Sequence, residues 1–283
     1  MKEIVVLSGK GGTGKTCIVG SFAALAKNKV MVDCDVDAAD LHLLLQPQVK
    51  EVEEFWSGQK AWIDQEKCTL CGLCQEVCHF EAIKDFRVDP ISCEGCGLCS
   101  HVCPEQAITM RENLAGEWFI SQTRFGPLVH ARLRPGQENS GKLVAQVRQK
   151  ARALAENEKL DYILSDGPPG IGCPVISSLS GVSLALIVTE PTLSGIHDLE
   201  RVVAVCRHFG VPALICINKY DLDEENTRRI EEYCQRIGLE MISKIPFDEV
   251  VIEAVVKGVP LVEYTDGRVS QEIEALWGKL ERR

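Results

Sequence analysis

The sequence predicts an α/β fold: a doubly wound, mostly parallel sheet with helices on both faces, interrupted by a small α+β insert held by metal rather than by a large apolar core. Three observations carry that expectation. Apolar runs of strand length alternate with helical patterns along most of the 283 residues, and such alternation implies a parallel sheet covered on both faces. A glycine-rich segment containing two lysines joins the first apolar run to the first helical stretch. A four-cysteine motif occurs twice in the middle of the chain, in near-identical copies.

The apolar run Ile4–Leu7 reads as a buried strand and leads into Ser8-Gly9-Lys10-Gly11-Gly12-Thr13-Gly14-Lys15-Thr16, followed by a helical stretch from Cys17 to Lys27. This is G-x-x-x-x-G-K-T in the strand, loop and helix context that a phosphate-binding loop requires. Its glycines let successive backbone N–H groups turn toward phosphate oxygens, and the helix N-terminus adds positive partial charge. Gly9 to Cys17 is therefore the predicted nucleotide-binding loop, with Lys15 against the β- and γ-phosphates and the Thr16 hydroxyl on Mg2+. A chance glycine-rich turn is the alternative, and the agreement of motif with context weighs against it. A second strand, Val30–Asp33, then runs into Asp33-Cys34-Asp35-Val36-Asp37.

The cysteine motif reads Cys68-x2-Cys71-x2-Cys74-x3-Cys78 and recurs as Cys93-x2-Cys96-x2-Cys99-x3-Cys103. The flanking residues repeat as well, CTLCGLCQEVCHFEAI against CEGCGLCSHVCPEQAI. Zinc sites and disulfide frameworks also use paired C-x2-C units, but neither explains the third and fourth cysteines of each run. The spacing resembles that of bacterial two-cluster ferredoxins, in which the fourth cysteine of each run ligates the other cluster. That resemblance assigns Cys68, Cys71, Cys74 and Cys103 to one [4Fe-4S] cluster and Cys93, Cys96, Cys99 and Cys78 to a second. The copies differ after the fourth cysteine, where Pro104 follows Cys103 but His79 follows Cys78.

Beyond the cysteines, strands are expected at Tyr162–Ser165, Leu184–Val188, Ala213–Ile217 and Met241–Ile245, and helices near Lys142–Glu156, Leu199–His208, Glu224–Ile237 and Asp248–Lys257. The expected division is 1–58 and 114–283 for the larger domain and 59–113 for the cysteine-bearing insert. A small insert of this kind depends on a metal staple. The C-terminal stretch places Val269, Ile273, Leu276, Trp277 and Leu280 on one helical face, but its polar face mixes acidic and basic residues, so docking on the sheet is expected rather than membrane attachment.

The extra lysine of Gly-Lys-Gly-Gly-Thr-Gly-Lys-Thr, Lys10, makes the loop a deviant Walker A motif, and the chain resembles the MinD/ParA/Mrp family of ATPases, specifically those with an inserted two-cluster ferredoxin domain. The resemblance covers essentially the whole chain. It implies an ATP-dependent homodimer in which Lys10 reaches across to the partner's phosphates. It also implies that Asp35 orients the attacking water or the metal shell, and that Asp166, in Asp166-Gly167-Pro168-Pro169-Gly170, senses the γ-phosphate in the second shell of Mg2+. Catalytic roles thus fall on Lys10, Lys15, Asp35 and Asp166, with Thr16, Asp35 and Asp166 around Mg2+. Asp33 and Asp37 read as strand-end or capping residues. Asn218 and the segment Ile245-Pro246-Phe247-Asp248 are implied at the adenine, although Asn218-Lys219-Tyr220-Asp221 coincides with the N-K-x-D pattern that reads guanine. Cys173 lies at the spacing from Asp166 where the related nitrogenase iron protein ligates a bridging cluster; a small packed residue is the preferred reading. Cys17, Cys34, Cys206, Cys216 and Cys234 are expected in or beside the core.

Composition limits the partners. A net charge of −10 and a pI near 5.2 argue against a broad nucleic-acid surface. No apolar run approaches the roughly 20 residues of a membrane span, the first residues enter a strand directly, and fourteen cysteines suit a reducing cytoplasm. The function expected is an ATP-hydrolysing iron–sulfur protein that passes electrons to a partner protein. A cluster carrier or assembly scaffold is the alternative, with spatial positioning and amide synthesis further behind.

Overall fold

Strand formation in the larger unit follows from continuous apolar runs that tolerate burial on both faces. Ile4–Leu7, Val30–Val32, Ile163–Leu164 and Ala185–Val188 are almost wholly inaccessible to solvent. The computed structural model describes residues Met1–Arg283. In chain order its elements begin with β1 (Lys2–Ser8), α1 (Lys15–Leu25), β2 (Lys29–Asp33), α2 (Leu41–Leu45) and β3 (Gln48–Ile63). Next come α3 (Leu73–Glu76), β4 (Ile83–Lys84), β5 (Arg87–Val88), α4 (Leu98–Val102), β6 (Ile108–Thr123) and β7 (Gly126–Leu133). The remainder alternates: α5 (Ser140–Glu158), β8 (Tyr162–Pro169), α6 (Cys173–Leu179), β9 (Leu184–Thr189), α7 (Leu193–His208), β10 (Ala213–Asn218), α8 (Glu224–Arg236) and β11 (Glu240–Ile245). Three helices, α9 (Val250–Val256), α10 (Leu261–Tyr264) and α11 (Arg268–Glu281), close the chain.

Two compact units result, one formed by Met1–Val52, Trp118–Ala131 and Ser140–Arg283, the other by Glu53–Glu117 and Arg132–Asn139. In the first, the sheet runs β11-β10-β9-β1-β8-β2-β7, continued by β6 and β3. The pairs β1–β8, β1–β9, β2–β8, β2–β7, β9–β10 and β10–β11 are all parallel, which confirms the α/β, mostly parallel class. Val6 and Asp33 both register with Asp166, so β1 and β2 flank that residue on either side.

One core packs α1, α2 and α11 against one face of the sheet; a second packs α6, α7 and α8 against the other. The C-terminal helix docks as expected, with Val269, Ile273, Leu276, Trp277 and Leu280 buried and the Trp277 ring 5.3 Å from Phe22. Cys34, Cys206, Cys216 and Cys234 are core residues, and Cys17 is half-buried. Cys173 departs from its expected packing: it opens α6 but is exposed.

Several element bounds differ from the sequence expectation for local reasons. Helix α1 starts at Lys15 because Gly14, at φ 91°, turns the chain straight into it, and stops at Leu25 where Ala26 is extended. Helix α7 begins at Leu193 rather than Leu199, since Thr192 Oγ1 accepts the Gly195 N–H and caps it. The long strands β3 and β6 went unanticipated. Residues Gln48–Glu54 of β3 are all exposed, so no alternation of apolar and polar residues marks them.

In the second unit, β4 and β5 form an antiparallel hairpin turned by Asp85 and Phe86, both at positive φ as a two-residue type I′ turn requires. Its core is small and includes Cys74, Cys93 and Cys99 beside Ala61, Ile63, Ala82, Ile83 and Ile108.

Lys29 Nζ donates to Phe125 O at 2.5 Å, and burial pushes its ammonium down to about 8. Between that value and the ordinary lysine range the unfolded chain binds more protons than the folded one, so stability conferred at this position rises with pH across the window. Urea unfolding at pH 8 and pH 10 should therefore show wild type gaining stability relative to Lys29→Met. A difference that stays constant or shrinks would contradict the burial of this ammonium.

Candidate functional site

The glycine-rich loop leaves β1 at its carboxyl end and feeds α1, at the edge of the sheet where open α/β folds bind ligands. Two glycines are fixed by geometry. A Cβ on Gly9 would lie 2.3 Å from Asp198 Cβ, and one on Gly14 would lie 2.4 Å from Asn218 Nδ2 at a φ of +91°. Lys15 is buried as the first residue of α1, and Thr16 Oγ1 donates to Asp166 Oδ2 at 2.7 Å.

The acidic residues around this loop are crowded. Asp33 accepts the Asp35 N–H at 3.0 Å and, through its other oxygen, the Leu41 N–H at 3.1 Å, the local capping role expected of it. Burial and the neighbouring Asp166 push its carboxyl well above the usual range. Burial likewise pushes Asp166 up to about 6, against the opposing pull of Lys15 and the Thr16 hydroxyl. Asp35 is raised by burial and pulled down by Lys15. Asp166 Oδ1 and Thr13 Oγ1 are buried without any hydrogen-bond partner. A buried carboxylate oxygen left over, beside a threonine hydroxyl and under a glycine loop, suits a hydrated Mg2+ carried by a nucleotide.

Behind the loop lies a cavity of about 150 Å³, lined by Gly14, Cys17, Asn218, Pro246, Phe247 and Asp248 among others. Asn218 Nδ2 donates to Thr13 O at 2.8 Å, which ties the end of β10 to the loop. Asp221 does not line this cavity; its Oδ1 accepts the Phe247 N–H at 2.7 Å and so fixes the segment beside it. Asp248 Oδ1 accepts the Val250 N–H at 3.0 Å.

Lys10 is held within its own chain. Its Nζ lies 2.6 Å from Glu190 Oε1 and reaches Thr192 Oγ1 at 3.2 Å and Ser194 Oγ at 3.1 Å. Lys219 Nζ takes the other oxygen of Glu190 at 3.0 Å and donates to Gly12 O at 2.9 Å. Burial favours the neutral acid at Glu190, but the two lysines win and hold its carboxyl below the usual range. Sequence reasoning passed over Glu190; the available signal was its place directly after the apolar strand β9, at the ligand-binding edge.

In the second unit no three side chains among His, Cys, Asp and Glu converge closely enough to hold a single metal ion. The motif cysteines instead line two separate pockets. One is bordered by Cys68, Cys71, Cys74 and Cys103, the other by Cys78, Cys93, Cys96 and Cys99. The copies fold alike: Cys68 N donates to Asp64 O at 3.1 Å and Cys93 N to Asp89 O at 3.0 Å. Ala82 N donates to Cys78 Sγ at 3.4 Å, and Ala107 N to Cys103 Sγ at 3.3 Å. The exchange of fourth cysteines follows from two equivalent bonds of 2.8 Å, Asp64 N to Ala107 O and Asp89 N to Ala82 O, which lay the end of each copy beside the start of the other. Four thiols around one pocket, with backbone N–H groups turned to sulfur, match the donor set of an iron–sulfur cluster rather than of a hard cation.

A parallel sheet with a strand, a glycine loop and a helix at its ligand edge defines a P-loop nucleotide-binding protein. The chain belongs to the CobQ/CobB/MinD/ParA nucleotide-binding domain family of P-loop ATPases, whose family model matches residues 4–261. It is 34% identical over 281 residues to the uncharacterized protein MJ0578 of Methanocaldococcus jannaschii, covering 98% of this chain and 96% of that one. It is 27% identical to an iron-sulfur cluster carrier protein of Pyrococcus horikoshii, covering 98% of this chain and 85% of the relative. The fold resembles that of the septum site-determining protein MinD from Pyrococcus horikoshii, solved with Mg-ADP, at a TM-score of 0.59 and 20% identity over 99% of this chain and 96% of that one.

Replacing Gly14 by Ala tests the loop geometry. The added methyl must displace the Asn218 amide and hold a left-handed backbone, a strain of about 1–3 kcal/mol. Nucleotide affinity should fall by about tenfold or more. Calorimetric titration of the variant with a non-hydrolysable ATP analogue checks this, and unchanged affinity would remove Gly14 from the site.

Proposed function

We propose that this protein is an ATP-hydrolysing iron–sulfur protein in which nucleotide-dependent pairing of two copies governs electron transfer to a partner protein. The observation that carries the iron–sulfur part is the division of eight motif cysteines into two four-thiol pockets, each completed by the last cysteine of the other copy. Resident [4Fe-4S] clusters in a ferredoxin-like insert would supply one-electron chemistry, and the chain's own part is to hold them by thiolate and amide contacts. Cys71 and Cys96 are exposed, which leaves each pocket an edge toward solvent.

In the nucleotide half, Lys15 neutralises β- and γ-phosphate oxygens, and Thr16 with Asp166 receives Mg2+. Asp35 orients the attacking water, and Lys10 reaches the phosphates of the second copy. Adenine is the base this cavity favours, because Asp221, the residue that reads guanine in an N-K-x-D pattern, is committed to the Phe247 N–H and does not line the cavity. A cluster carrier is the second reading, favoured by the relative that bears that name.

Anaerobic reconstitution should load about eight irons per chain, with reduced clusters visible by electron paramagnetic resonance. Paired substitutions test the exchange of ligands. Cys68→Ser with Cys103→Ser damages one pocket and should leave about four irons, whereas Cys68→Ser with Cys78→Ser damages both and should leave about none. Zinc in place of iron would overturn the assignment; the opposite ranking of the two pairs would overturn the exchange.

The lysines should separate by role. Lys15→Ala should weaken ATP binding by about 100-fold through loss of a charge-assisted phosphate contact. Lys10→Ala should keep ATP binding and lose ATP-dependent association and hydrolysis. Normal hydrolysis by Lys10→Ala would exclude the two-copy mechanism.

A further inference from the structure

Glu190 is the one acidic side chain that bridges the loop lysine and the β10 lysine. Its carboxylate is placed at the carboxyl end of β9 by the strand itself, and Pro191 and the Thr192 cap fix the turn that follows. Lys10 spends its Nζ donors on Glu190, Thr192 and Ser194, all from one short segment of its own chain. The other loop lysine is not tied in this way: the charge of Lys15 acts on Asp35 and Asp166.

We propose that Glu190 is a latch that holds Lys10 against its own subunit, so that Lys10 becomes available to a second copy of the chain only when this contact opens. The inference rests on the two-copy reading of the nucleotide site given above, and it names the regulation of that site. The physical basis is competition. An ammonium paired with a carboxylate and two hydroxyls is fully satisfied, and a phosphate on another subunit must offer more than those three partners before Lys10 changes sides. Because the same carboxylate also holds Lys219, release of Lys10 leaves Glu190 still paired, so opening strands no buried charge. Lys219 bonds to Gly12 O and adjoins Asn218 at the cavity. The latch thus links the phosphate loop to the segment that borders the base.

Glu190→Gln keeps the shape of the side chain and removes the charge. Sedimentation equilibrium of the iron-loaded chain with Mg2+ and a non-hydrolysable ATP analogue should show association about tenfold tighter than wild type, because the closed form has lost its charge-assisted bond. Without nucleotide, Glu190→Gln should stay as monomeric as wild type, an outcome that a general loosening of the fold would not give. Ser194→Ala, which removes one hydroxyl partner and leaves both lysines paired with Glu190, should tighten association in the same direction but less, and covers the case in which Glu190→Gln fails to fold. Unchanged or weaker association of Glu190→Gln, with wild type associating normally and Lys10→Ala not, overturns the latch while the two-copy reading stands. Failure of wild type to associate with the analogue overturns both.

Discussion

The nucleotide half of this protein is organised around one buried carboxylate. Asp166 lies in the carboxyl half of the central strand β8, opposite Val6 of β1 and Asp33 of β2. Its position is set by backbone register, not by any side-chain preference, and the cost appears in the upward displacement of both its own proton affinity and that of Asp33. Thr16 offsets part of that cost with one hydrogen bond. One oxygen remains unpaired in a place water does not reach. A sheet that places two carboxylates side by side at its ligand edge without a cation is unfavourable until one arrives, and this is the constraint to which the loop above it is fitted.

The second unit solves a different problem. Its apolar core is small, and several of its buried side chains are themselves thiols. Burial and neighbouring thiols raise the Cys74 proton affinity, and burial does the same at Cys99. Burial at these two positions favours the neutral thiol, while a soft metal centre would deprotonate and bind all four sulfurs of a pocket at once. Folding of the unit and loading of its pockets are therefore expected to be one thermodynamic event. The symmetric backbone bonds between the copies show what the duplication contributes: each copy supplies three sulfurs locally and the fourth through its exchange with the other.

Much of this was legible in the sequence, and the limits are physical. Strands buried on both faces announce themselves as apolar runs, so β1, β2, β8, β9, β10 and β11 were readable, as was the amphipathic face of α11. Glycine and cysteine spacing named the loop and the two groups of thiols because those chemistries tolerate few other residues. The strand β3 was not readable, since its first seven residues are exposed and charged residues there carry no periodicity. Glu190 was missed for a related reason. A glutamate after a strand is common, and only the fold reveals that Lys10 and Lys219, distant in sequence from it and from each other, meet on its two oxygens.

Those two carboxylates, Asp166 and Glu190, put the charges of the loop into complementary states. Around Asp166 negative charge is in excess, because Asp33 and Asp35 lie near and Lys15 is the cation that opposes them. Around Glu190 positive charge is in excess, because Lys10 and Lys219 share one carboxylate. A metal ion alone would relieve the first region and leave the second untouched. A phosphate chain alone would crowd the aspartates and compete with Glu190 on equal terms. A nucleotide that carries its own Mg2+ brings the cation to the aspartates and the anion to the lysines in one rigid ligand. The arrangement of charge therefore selects the metal-bound nucleotide over either component, and it does so with residues drawn from β1, β2, β8, β9 and β10, the strands whose ends the parallel sheet gathers at one edge.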